Sequence, residues 1–258
     1  MVAARVGMVH APAPMSAELL VPETLVRDLL KHVPGAPRAF ERHRVDYCCH
    51  GALSVSEASA RVGADVDAVL AALAEEAARP DAEPAWGDTF ELLPLEDVVE
   101  HLVTEVHAKA RRDVAELRAL APADSALGRA VLALCDELEP HLAFEERHVF
   151  PYVVGIERTG EVPLALFDTV VEPCQMLLRE HEASDHTLDT LRALTGGYQA
   201  PDGADAATVA LYRALAAYDR DLVLHMHLEG NVLFPRAQQL EAKTRAASRP
   251  TTARRGRR

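Results

Sequence analysis

HLAFEERHVFP (141–151) and HMHLEGNVLFP (225–235) share one skeleton: a His, three residues, a Glu, four residues, then Phe-Pro. Both copies sit in the middle of long stretches whose apolar residues recur with the helical period. Positions i and i+4 of a helix project from one face a turn apart, so each His/Glu pair can grip one metal ion or reach toward two.

Working outward, everything from Leu95 onward has the helical period and nothing alternates as a strand does. The spacing predicts four long helices, over about 95–120, 124–156, 164–195 and 206–241. The breaks between them, APAD, ERTGEVP and TGGYQAPDGAD, are rich in Pro, Gly and Asp. Four such helices with short connections form an up-down bundle. Pro140, directly before His141, is expected to kink the second helix or mark its restart.

The direction of each histidine separates ligands from surface. On the third helix Leu166, Val170, Cys174, Leu177, Leu188 and Leu191 define an apolar stripe. His181 lies within about 10° of its centre and His186 about 150° away. On the fourth, Glu229 sits inside the stripe of Leu211, Leu215, Leu222, Met226 and Leu233. His225 is on its border, and His227 falls well outside. On the second, Glu145 lies on the stripe of Val131, Leu138, Leu142 and Val149, with His141 at its edge. On the first, His101 is about 160° from the stripe of Leu95, Val99, Leu102 and Val106, and His107 about 80°. His107 is therefore the interior candidate, and His101 is assigned to solvent.

The combined set is His107, His141, Glu145, His181, His225 and Glu229. Buried carboxylates are expensive unless paired or metal-bound, and these stripes carry no Lys or Arg. A lone interior histidine is ordinarily a hydrogen-bonded core residue; six ligand-type residues at matching depths on four helices point instead to a multivalent cation. Mixed imidazole and carboxylate donors suit iron, manganese or zinc, and two carboxylates able to bridge favour a dinuclear iron or manganese site. A ferritin-like site needs Glu-x-x-His on two helices, and only Glu145–His148 fits. His148 is read as a packing or surface residue, with a place at the pocket edge as the other reading. Cys135 and Cys174 lie on apolar stripes and read as core.

The chain has 258 residues, is 49% hydrophobic and carries a formal charge of −13. Its last 18 residues are strongly basic, so the remainder is more acidic than the total suggests and offers no basic face for nucleic acid. No stretch is apolar enough to span a membrane, and the first residues lack the apolar core of an export signal, so the expected location is cytoplasmic. The chain divides into a disordered leader (1–18), a small helical unit (19–78), a Pro-rich linker (79–93), the bundle (94–241) and a basic disordered tail (242–258). In the small unit a capping box is expected at Ser54/Glu57 and an N-cap at Asp65. The segment VDYCCHG places Cys48 and Cys49 side by side. With His43 or His50 nearby to lower their pKa, they can act as nucleophiles, reductants or soft iron ligands; they also read as two inert packed thiols.

Together these features resemble the repair-of-iron-centres (RIC) family. The His-x-x-x-Glu pairs with trailing Phe-Pro are similar to its hemerythrin-like four-helix di-iron bundle, and VDYCCHG followed by SVSEAS is similar to its short N-terminal domain; the resemblance covers residues 19–240. It implies an all-α, cytoplasmic protein with a non-haem di-iron centre that restores iron–sulfur clusters damaged by nitric oxide or oxidants. Clients would be damaged iron–sulfur proteins, served by iron donation and/or nitric oxide reduction, donation being favoured over conventional turnover. The six residues would be the iron ligands, Glu145 and Glu229 bridging, with Cys48 and Cys49 assisting in a homodimer. The alternative is a hemerythrin-like protein that binds or senses oxygen or nitric oxide. A di-metal oxidase would want more carboxylates. The chain departs from the family pattern at His50, where Gly is usual, at AKARRD, which lacks a second histidine, and at EHEASDH.

Overall fold

The computed structural model describes residues 17–48, 50–82, 85 and 89–248. Among them the chain is helical with no strand; one isolated bridge joins Leu25 to Ser54. After a 3-10 turn at Ala17–Leu19, the small unit comprises α1 (Val26–His32), α2 (Ala36–Arg42), α3 (Val55–Val62) and α4 (Val66–Ala77). Helix α3 starts with the reciprocal capping box: Glu57 N–H donates to Ser54 Oγ and Ser54 N–H to the Glu57 carboxylate. Helix α4 starts on Asp65, which accepts from Asp67 N–H. Val26, Leu29, Phe40, Val55, Val69 and Leu73 are fully buried and fill this unit. The Pro-rich stretch contains one helical turn, α5 (Thr89–Leu92).

Four long helices follow: α6 (95–120), α7 (126–159), α8 (Val171–Thr195) and α9 (206–247). Helix α7 does not restart at Pro140 but runs through it. Helix α8 begins later than its apolar period suggests. Residues 164–170 form an extended and bent segment behind Pro163, and Leu166, expected inside, is 84% exposed. Helix α9 continues past 241 to Ala247; 249–258, like 1–16, lies outside the described residues.

Three of the long helices open into a π turn, at Leu102–His107, Glu145–Val149 and Leu228–Leu233. The second and third have a cause in the repeated motif. Pro151 and Pro235 lack the N–H that would close an α turn onto residues 147 and 231, and their rings crowd those carbonyls. The preceding turn widens instead. The first π turn has no such proline.

Among the described residues the core falls into two large apolar clusters and a small one of Ala110, Leu138 and Leu142. One joins the small unit to the end of the bundle near the 120–126 and 195–206 connections, through Leu117, Val131, Leu134, Leu188, Leu191, Leu215 and Met226. The other fills the opposite end, through Leu102, Val149, Phe150, Val153, Leu177, Leu233 and Phe234. Between them lies a layer of buried polar side chains. Among the described residues no helix is long and apolar enough to cross a membrane.

Candidate metal centre

That layer contains all six residues singled out by spacing, one or two from each long helix. Their donor atoms form two quartets, His107, Glu145, His225, Glu229 and His141, Glu145, His181, Glu229; within each the ligand atoms lie inside 4.8 Å of one another. Glu145 and Glu229 are common to both. The π turns place three of the six: His107 ends the first, Glu145 begins the second and Glu229 is second in the third.

All four imidazoles turn Nε2 inward. His225 Nε2 is 2.9 Å from Glu229 Oε1, His181 Nε2 3.1 Å from Glu229 Oε2, and His107 Nε2 3.3 Å from Glu229 Oε1. His141 Nε2 is 3.4 Å from Glu145 Oε1 and 3.2 Å from His181 Nε2. Most of these approaches are not hydrogen bonds: both oxygens of Glu145, Oε2 of Glu229 and Nε2 of His225 are buried without a hydrogen-bond partner. Buried polar atoms are nearly always satisfied. Lone pairs converging from six side chains on common points fit divalent or trivalent metal ions.

Electrostatics agree. Burial, and then the charge of Glu229, pushes the Glu145 carboxyl well above the usual range. Burial works on Glu229 too, but His225, His107 and His181 hold it well below. Burial lowers His181, and lowers His225 to about 4, which favours the neutral, ligating form of both. At His107 burial, which lowers the pKa, is outweighed by the carboxylates of Glu229 and Glu146, which raise it, so a metal ion there would have to displace a proton.

Outer partners fix the ring orientations. His107 Nδ1 donates to Glu146 Oε1 at 2.8 Å, and Arg111 clamps that carboxylate at 2.9 and 3.2 Å. His141 Nδ1 donates to Glu180 Oε2 at 2.7 Å. A carboxylate on the far nitrogen sets the tautomer and leaves Nε2 free for metal. Glu146 and Glu180 were not picked out as site residues; each adjoins a ligand-type residue, but each serves a histidine on a different helix, which spacing along one helix does not report.

Two histidines differ from their expected places. His227 is not on the surface but 3% exposed, because the small unit covers this face of α9: Asn231 Nδ2 donates to Cys48 O (2.7 Å) and lies 3.0 Å from His227 Nδ1. His101 is half-buried, its ring 4.8 Å from that of Phe90. His186 is exposed, and His148 packs on Phe144 at 5.2 Å. Cys135 and Cys174 are buried, and burial pushes their thiols up to about 11 and about 12.

Cys48 is buried, its N–H and Sγ 3.0 and 3.3 Å from Asp46 Oδ1. Asp46 also receives His50 Nδ1 and thereby raises the His50 pKa. Cys49 lies outside the described residues. Of two cavities, one opens onto the centre and the other does not touch it. One, of about 540 Å³, is lined by Leu138, Phe144, Met176, Leu222 and Met226 and reaches His141, His181 and His225. The other, about 610 Å³, lies between the small unit and the bundle, with Asp46, Cys48, Asp185, Arg192, Tyr198 and Asp219 in its walls.

Residues 98–237 match the family model "Hemerythrin HHE cation binding domain", and residues 23–77 match ScdA_N, a domain described as of unknown function. The chain is 30% identical over 222 residues to the iron-sulfur cluster repair protein YtfE of Salmonella paratyphi B, covering 81% of this chain and 94% of that protein. It is 29% identical over 217 residues to the protein of the same name from Pectobacterium atrosepticum, covering 80% of this chain and 92% of that one. With both domains present in this order, and relatives matched over nearly their whole length, the chain belongs to the repair-of-iron-centres family of hemerythrin-type proteins.

Proposed function

We propose that this protein is a di-iron protein that repairs iron–sulfur clusters damaged by nitric oxide or oxidants, with His107, His141, His181 and His225 as terminal ligands and Glu145 and Glu229 as bridges. The sharing of those two carboxylates by both quartets carries the reading. The names of the relatives support the repair role. Iron bound there would supply one-electron chemistry and coordination positions open to nitric oxide, and would itself be the cargo in donation. The chain's own part is to present four Nε2 donors, to hold the tautomers of His107 and His141 through Glu146 and Glu180, and to keep both carboxylates out of water. Cys48 and Cys49 would assist at the face of the small unit, and cytoplasmic iron–sulfur proteins would be the clients.

Incubation of the anaerobically iron-loaded protein with an apo iron–sulfur enzyme tests this. Recovery of cluster absorbance and client activity, with matching loss of iron from this protein, is expected; retention of all its iron would refute donation. A second reading, reversible binding of oxygen or nitric oxide, is favoured by the apolar cavity that reaches three histidines, a route suited to small uncharged gases. A reversible optical change on gas exchange, with iron retained in the donation assay, would establish it.

A further inference from the structure

The small unit does not merely lean on the bundle; it is keyed to the π turn that carries Glu229. Asn231, two residues beyond Glu229 and 7% exposed, donates from Nδ2 to Cys48 O at 2.7 Å and lies 3.4 Å from Tyr47 O. Its other neighbour is His227 Nδ1, at 3.0 Å. Glycines on both sides permit this approach. A Cβ on Gly51 would stand 2.5 Å from Asn231 Oδ1, far inside contact distance, and one on Gly230 would meet Cys48 O at 3.4 Å and Leu178 Cδ2 at 3.2 Å. The docking is thus backbone against backbone, locked by one buried amide. It joins Cys48 to the π turn Leu228–Leu233, which also carries Glu229.

We propose that Asn231 is a positioning residue which couples the metal centre to the cysteine turn: metal on Glu229 fixes the π turn, Asn231 with it, and so holds Cys48 closed. This rests on the reading of Glu229 as a metal ligand. Coupling is reciprocal, so a docked cysteine turn in return slows loss of metal, and opening of the turn accompanies release. Cys48, 2% exposed at the wall of the cleft between the small unit and the bundle, is the reporter: its labelling quickens as the turn opens. Cys135 and Cys174, buried in the bundle, serve as internal references.

The test is iodoacetamide labelling of the full chain, loaded anaerobically with ferrous iron or metal-free, read by mass spectrometry on the peptide containing Cys48 and Cys49. Iron is measured in the same samples. In the unaltered protein, labelling is expected to be about 5-fold or more slower when iron is bound, the low end of ordinary coupling between two sites. In Asn231→Ala the rate should be fast with or without iron, and iron should pass more quickly to a chelator. Gly51→Ala, which keeps the Asn231 amide but drives a Cβ against it from the small unit, should behave alike even if Asn231→Ala misfolds. Iron added to Glu145→Ala/Glu229→Ala should leave the rate at its metal-free value; protection there would place iron on the thiols themselves and overturn the coupling. Equal rates with and without bound iron, or a ratio unchanged in both contact variants, would overturn it as well. Failure of the unaltered chain to bind iron at all would instead remove the metal-ligand reading beneath it.

Discussion

Glu145 and Glu229 each stand in both quartets of the centre, one in each copy of the repeated motif, and neither is exposed to solvent. Two carboxylates this close in a dry interior repel, and among the described residues no Lys or Arg pairs with either. Among the described residues their close partners are four imidazoles, three of which crowd Glu229 while Glu145 keeps both oxygens without a hydrogen bond. An interior built this way is frustrated until cations occupy it, which is why metal and folding are expected to be linked in this chain.

Glu146 is predicted to matter for metal retention although it is not itself in either quartet. Glu146→Ala removes the acceptor of His107 Nδ1–H and one of the two carboxylates on Arg111. Loss of such an outer partner typically weakens metal binding about 10- to 100-fold. Chelator competition measures it. Glu139→Ala, which removes the more exposed partner of the same Arg111, should leave metal affinity essentially unchanged.

Asp185 gives a pH signature. Burial first, then the charges of Asp46 on the small unit and Asp189 and Asp219 on the bundle, raise its pKa to about 6 against the partial relief of Arg192. A folded pKa above the unfolded one means that Asp185 imposes nothing below about pH 4, where both states are protonated, a penalty that grows between about pH 4 and 6, and a constant one above, where both are ionised. Asp185→Asn should therefore stabilise the protein by about 1–2 kcal/mol at pH 8 and by nothing measurable near pH 4. Denaturant midpoints at the two pH values check this; equal gains at both would contradict it.

Asp219 anchors the connection between α8 and α9. Arg192 Nε donates to it at 2.8 Å and the Tyr198 hydroxyl at 2.7 Å, all beside the cleft under the small unit. Asp219→Ala removes the most buried carboxylate on Arg192 and the acceptor of the Tyr198 hydroxyl, leaving the guanidinium to Asp189 and Asp185, and costs about 1–3 kcal/mol. Thermal unfolding should show a drop in midpoint, while metal binding in the folded protein persists.

Much of the site was legible because it is written in helical geometry. Steps of 100° suffice to turn His107, His141, Glu145, His181, His225 and Glu229 toward one interior, and the capping box at Ser54 is a local pattern with a local cause. What was not legible depends on the rest of the molecule. His227 points away from the bundle's own core, and only the covering small unit buries it. Leu166 continues the period of α8 numerically, yet Pro163 and the bent segment behind it delay the helix. The π turns shift the register after Glu145 and Glu229, which uniform stepping cannot represent. Glu146, Glu180 and Asn231 act across helices, and no pattern within one helix announces such partners.

The most direct test of the account is metal analysis with EPR on protein purified anaerobically, beside Glu145→Ala/Glu229→Ala. The account predicts two irons per chain and a coupled mixed-valence signal on partial reduction, both lost in the double variant. Zinc in place of iron, a single iron, or two irons that survive loss of both glutamates would contradict it.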